Sequence, residues 1–166
     1  GPPLQRRGFI ALVALDPTGQ PQRIMLHEQT LPQAVAQRTA QMLATRVNLT
    51  PTHALYHDPD FEVEALLAAS MQQPMVGVTD EEGVRHELGV LQDPQAIRAI
   101  QQRLLHQPFY LADGHHRLRV GQEVRDALVD DAARGGKRPD PRWQYTLMYL
   151  SNRAAPDLPI LPTHRV

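Results

Sequence analysis

The chain has 166 residues, with 17 lysines and arginines against 18 aspartates and glutamates, and no cysteine. That length suffices for one domain with a real core. The balanced charge argues against a general nucleic-acid or anionic-membrane surface, and the missing thiols exclude disulfides, thiolate metal sites and cysteine nucleophiles. No apolar run approaches the roughly 18 residues of a membrane span and no signal peptide is visible, so a soluble, cytoplasmic protein is expected. Gly1-Pro2 reads as a tag-cleavage scar, and LPILPTHRV ends the chain just after an apolar run. Residues 3–166 are therefore expected to form a single domain trimmed from a longer protein.

In chain order, GFIALVAL (8–15) reads as a buried strand, and DPTGQPQ (16–22) as a turn built on proline and glycine. RIMLHE (23–28) is then expected to return beside the first strand as a hairpin. Residues 32–46 are rich in alanine and glutamine, and Val35, Met42 and Leu43 share one helical face. HALYH (53–57) is a short strand and 61–73 a helix. Residues 74–91 alternate on both sides of Asp-Glu-Glu-Gly, the pattern of a second hairpin. Asp93-Pro94 opens a helix, with aspartate as N-cap, proline at the first helical position, and Ile97, Ile100 and Leu104 at helical spacing. PFYLA (108–112) is a strand, 115 to about 133 a helix stopped by Gly135-Gly136, and WQYTLMYLS (143–151) a last strand. Hairpins mixed with strand–helix units predict an α+β fold, a mixed β-sheet with packed helices.

Chemistry concentrates at PFYLADGHHRLRVGQ (108–122). A strand running through a glycine turn into a helix start suits an anion. The first helical N–H groups have no internal partners, and the helix dipole adds positive charge there. Gly114 permits close approach of a ligand. On a helical wheel Val120, Val124, Ala127 and Leu128 form the core stripe. Arg117 and His116 flank that stripe, and His115 and Leu118 project away from it. Arg117 is thereby placed to reach back over the turn and hold an oxyanion with two hydrogen bonds. The plainer alternative is a helix capped by Asp113 with partly exposed histidines. Adjacent histidines diverge on a helix, so their spacing argues against a metal pair. His27, His53, His57 and His164 could join them only in space.

The blocks RRGFIALVAL, HEQTLP, RVNLTP, LYHD, FYLADGHHR and ILPTHRV occur here in an order that resembles an uncharacterised bacterial family of longer proteins, a domain of unknown function with the signature Ala-Asp-Gly-His-His-Arg. The family often has tyrosine where this chain has Leu118. It is similar in turn to the ParB/sulfiredoxin superfamily, where a glycine turn before a helix, ending in arginine, holds nucleotide phosphates. The sulfiredoxin cysteine corresponds to His115, so sulfiredoxin chemistry is excluded by residue type. The ParB version is arginine-rich and clamps DNA, and this chain has no basic helix-turn-helix segment. The turn Asp113-Gly114-His115-His116-Arg117, with the upstream pair His27-Glu28, most resembles the superfamily's free-serine kinases, in which the glutamate of such a pair is the catalytic base.

That resemblance implies phosphoryl transfer to a small-molecule hydroxyl, with ATP or ADP and Mg²⁺ as cofactors. Such a reaction needs positioning and charge neutralisation more than covalent help. Gly114, His115, His116 and Arg117 would hold phosphate, and Asp113 would orient it, through Mg²⁺. Glu28 would accept the proton of the attacking hydroxyl, and His116 would contribute a proton or hydrogen bond. Thr163, His164 and Arg165 form a second family block whose side chains suit an anion. Arg38, Thr45 and Asn48 lie in further blocks without an assigned role. Two alternatives stand beside the kinase: a ParB-like nucleotide-binding switch without turnover, and an interaction domain without nucleotide. Partners are expected to be a nucleotide and a small hydroxyl-bearing substrate, with no membrane.

Overall fold

A computed structural model of the chain describes residues 5–17, 22–136, 138, 140–156 and 158. The elements in chain order are β1 (Phe9–Ala14), β2 (Ile24–Met25), α1 (Pro32–Thr45), β3 (Thr52–Tyr56), α2 (Glu62–Ala68), β4 (Val76–Thr79), β5 (Arg85–Leu88), α3 (Pro94–Leu104), β6 (Phe109–Asp113), α4 (His115–Arg134) and β7 (Tyr145–Asn152). Short 3₁₀ turns follow α2 and precede β7. The protein is α+β, with a mixed five-stranded sheet and four α-helices among the described residues. No helix among them is long and apolar enough to cross a membrane. Two compact units divide the chain, one of residues 8–56 and 108–153, the other of 57–107 with the terminal segments.

The first unit carries the five-stranded sheet, in the order β1-β7-β3-β6-β2. β1 runs antiparallel to β7, β7 parallel to β3, β3 antiparallel to β6, and β6 parallel to β2. Central strands bury alternate residues: Thr52, Ala54 and Tyr56 on β3, Thr146, Met148 and Leu150 on β7. β1 is an edge strand, and Ile10 and Leu12 point to solvent, which corrects the expectation of a fully buried first strand. The expected β1–β2 hairpin does not form either. The N–H groups of Arg23 and Ile24 bond instead to the buried carboxylate of Asp16, at 2.8 and 2.9 Å. β2 then joins the far edge of the sheet beside β6. The Asp16 carbonyl accepts from Arg125 of α4 at 2.7 Å, so the turn is tied to that helix.

α1 packs against α4 through the predicted face. Val35, Val120 and Val124 form a buried cluster against which Met42, Leu43, Leu128 and Trp143 rest. α4 also packs on the sheet, where Gly121 lies close to Leu15 and Thr146. It is therefore buried along two adjoining faces, Val120 and Val124 toward α1 and Leu118, Gly121 and Arg125 on the other. A wheel drawn for a single stripe misses the second face. For that reason His115 and Leu118, expected to project away, are 4% and 1% exposed.

The second unit holds α2, the β4–β5 hairpin and α3. The predicted helix over 61–73 is α-helical only to Ala68 and tightens to 3₁₀ at Ala69–Met71. Asp93 caps α3 as expected, accepting from Gln95 N–H at 2.9 Å with Pro94 at the first helical position. Ile100 and Leu104 are buried, while Ile97 is exposed. Asp58 is fully buried, accepts from Val63 N–H at 2.8 Å and pairs with Arg103 at 2.7 Å, so its charge is matched. The β4–β5 hairpin forms as its alternation predicts, and Asp80 closes its turn by accepting from the N–H groups of Glu82 and Val84.

Candidate functional site: the glycine turn and its cavity

β6 delivers the chain to Gly114, where φ is 96° and ψ 30°, and α4 begins at the next residue. L-residues disfavour that backbone, and glycine alone adopts it without cost. The register between β3 and β6 slips between His53 and Ala54, opposite the end of β6. Such bulges bend a strand and re-aim nearby side chains. A Cβ on Gly114 would sit 2.9 Å from Arg117 Nε and 2.9 Å from the methyl of Thr52, so glycine is required by space as well as by φ. α4 has no side-chain cap and no acidic residue in its first turn. Among the described residues no side chain caps its leading N–H groups.

Arg117 folds back over the turn as the wheel predicted and pairs with the carboxylate of Asp113. Asp113 therefore does not cap α4; it holds the guanidinium in place. His116 accepts from the Leu31 N–H through Nε2 at 3.1 Å, which ties α4 to the start of α1.

His115 turns inward. Its Nδ1 lies 3.3 Å from Glu28 Oε2, and its ring meets His27 edge to face with centroids 4.4 Å apart. Among the described residues its Nε2 is buried with no hydrogen-bond partner. Burial pushes the imidazole below its usual pKa and His27 adds to the shift, while Glu28 and Asp113 oppose it. His27, Glu28 and His115 each offer a ligand atom within 4.8 Å of the others. His116 takes no part, in keeping with the divergence of adjacent histidines on a helix. The cluster comes from one histidine of α4 and two residues after β2.

An open cavity of about 490 Å³ is lined by Glu28, Arg38, Thr50, Asp113, Gly114, His115, His116 and Arg117. It gathers seven side chains and a glycine from four segments: the loop after β2, α1, the loop before β3, and the β6–α4 turn. Nearly all are polar, and two are arginines. Sequence reasoning had paired Glu28 with the turn but left Arg38 without a role and passed over Thr50. Thr45 bonds its own helix, donating to the Gln41 carbonyl at 3.0 Å. Asn48 is half-buried in the loop after α1. His53 lies elsewhere, 2.9 Å from Ser151 and beside Tyr149. His57 belongs to the other unit. Thr163, His164 and Arg165 lie outside the described residues.

Fold and site together define an α+β domain whose glycine turn and helix start open on a polar cavity carrying two arginines and two carboxylates. Residues 3–166 match the family described as "Protein of unknown function (DUF1015)", and the chain belongs to that family. No curated protein and no solved structure matches it.

Proposed function

We propose that the protein transfers a phosphoryl group from a nucleotide, ATP or ADP with Mg²⁺, to the hydroxyl of a small molecule. One observation carries this reading: Glu28 and the turn Gly114–Arg117 line the same cavity, with a second arginine, Arg38, beside them. Phosphoryl transfer asks for an anion cradle, fixed cations and a base within reach of the acceptor. The uncapped start of α4 and the close backbone of Gly114 suit phosphate oxygens. Arg117, held by Asp113, and Arg38 neutralise charge on them. The exposed carboxylate of Asp113 suits Mg²⁺ brought in with the nucleotide. Glu28, more than half exposed, is open to an acceptor hydroxyl and takes its proton. His116 keeps Nδ1–H as a donor near the phosphate, since Nε2 is engaged by Leu31. The turn residues Asp113-Gly114-His115-His116-Arg117 resemble in sequence those of the ParB/sulfiredoxin superfamily, whose free-serine kinase branch supplies the precedent for a small alcohol as acceptor.

The test is transfer of labelled phosphate from ATP or ADP to free serine and other small alcohols by the full-length protein. Glu28→Gln is expected to lose transfer and keep the nucleotide-induced thermal shift. Binding without acceptor-dependent turnover in the native protein would point instead to a nucleotide switch. No thermal shift with ATP, ADP, CTP or GTP in Mg²⁺ would end both nucleotide readings and leave an interaction domain.

A further inference from the structure

We propose that His27, Glu28 and His115 form a binding site for one divalent first-row transition ion, of the Zn²⁺ or Co²⁺ type. Two imidazoles and a carboxylate are a borderline donor set that suits such ions, whereas Mg²⁺ takes oxygen ligands. An ion about 2.1 Å from each donor in a tetrahedral arrangement needs donors roughly 3.4 Å apart. His115 Nδ1 and Glu28 Oε2 already stand 3.3 Å apart, and all three ligand atoms lie within 4.8 Å. The remaining closure falls to His27 and Glu28, which are exposed, while His115 is the buried member.

The His115 side chain is almost fully removed from solvent, so its ring is held with Nδ1 beside Glu28 Oε2.

Three protein ligands beside an open cavity match the plan of catalytic rather than closed structural sites, in which a further position is kept for water or substrate oxygen. Ligation through one oxygen of Glu28 leaves the other to accept a proton, so the site is compatible with the proposed phosphoryl transfer without depending on it.

Chelator-treated protein titrated with CoCl₂ or ZnCl₂ alone, without nucleotide, tests the site separately from the kinase reading. One equivalent is expected to bind saturably, with the visible absorption of low-coordinate Co²⁺. His27→Ala changes an exposed side chain and should weaken binding at least about tenfold, given that even loss of an outer-shell contact costs 10–100-fold. His115→Ala should do the same. His106→Ala, an exposed histidine of the other unit, should change nothing. Absence of saturable binding, or equal affinity in His27→Ala and the native protein, would overturn the proposal whether or not phosphoryl transfer is found.

Discussion

Replacing Gly114 with alanine probes the turn on which the site is built. Two costs add. At φ 96° an L-residue loses about 1–2 kcal/mol to backbone strain. The new Cβ would also lie 2.9 Å from the methyl of Thr52, a residue 1% exposed on a central strand, and 2.9 Å from Arg117 Nε. Arg117 can swing aside, but Thr52 cannot move without disturbing β3, and overpacking of this kind costs about 1–3 kcal/mol. The sum is roughly 2–5 kcal/mol, or about 5–15 °C in melting temperature for a chain of this size. Gly136→Ala is the matched control: its φ is also positive, at 63°, in the same unit, but nothing lies within 4 Å of its Cβ, so it meets strain alone. Trp143, the single tryptophan, rests on the Val35–Val120–Val124 cluster and reports unfolding of this unit by fluorescence. Urea titrations of both variants at unchanged m-value should place Gly114→Ala below Gly136→Ala by about 1–3 kcal/mol. Equal losses would refute the close approach at Gly114.

Leu118→Ala should cost about 2–5 kcal/mol in the same tryptophan assay, because Leu118 is 1% exposed; a loss within about 0.5 kcal/mol would restore the single-stripe projection that leaves it on the surface. Asp80 supplies a pH prediction. The hydrogen bond from His86, and after it the Val84 N–H, hold its carboxyl below the usual aspartate range. The unfolded chain therefore takes up this proton more readily than the folded one. The hairpin contribution is complete above the usual value of about 3.9 and is lost as pH falls through the lowered folded value. The Val84 amide resonance should titrate with a midpoint under about 3.9 and stop titrating in Asp80→Asn; a midpoint at or above that value would refute the assignment.

The sequence by itself determined features whose causes are local. Asp93-Pro94 caps and starts α3, Gly135-Gly136 stops α4, and the residues around Asp-Glu-Glu-Gly make a hairpin, because a few neighbouring residues contain the whole interaction. The same holds for Gly114 at a left-handed turn and for Arg117 folding back over it, three residues away. Tertiary structure decided what depends on partners distant in the chain. β1 pairs with β7 rather than β2, since Asp16 captures the N–H groups that a hairpin needs and bonds onward to Arg125, 109 residues away. α4 buries a second face because the sheet lies under it, and that turns His115 from an expected outward side chain into the buried member of a cluster with His27 and Glu28. Periodicity can record that a helix is amphipathic, but not how many surfaces it meets. Only packing brings Glu28, Arg38 and the turn to one cavity, because the loops that join them in space are silent about direction.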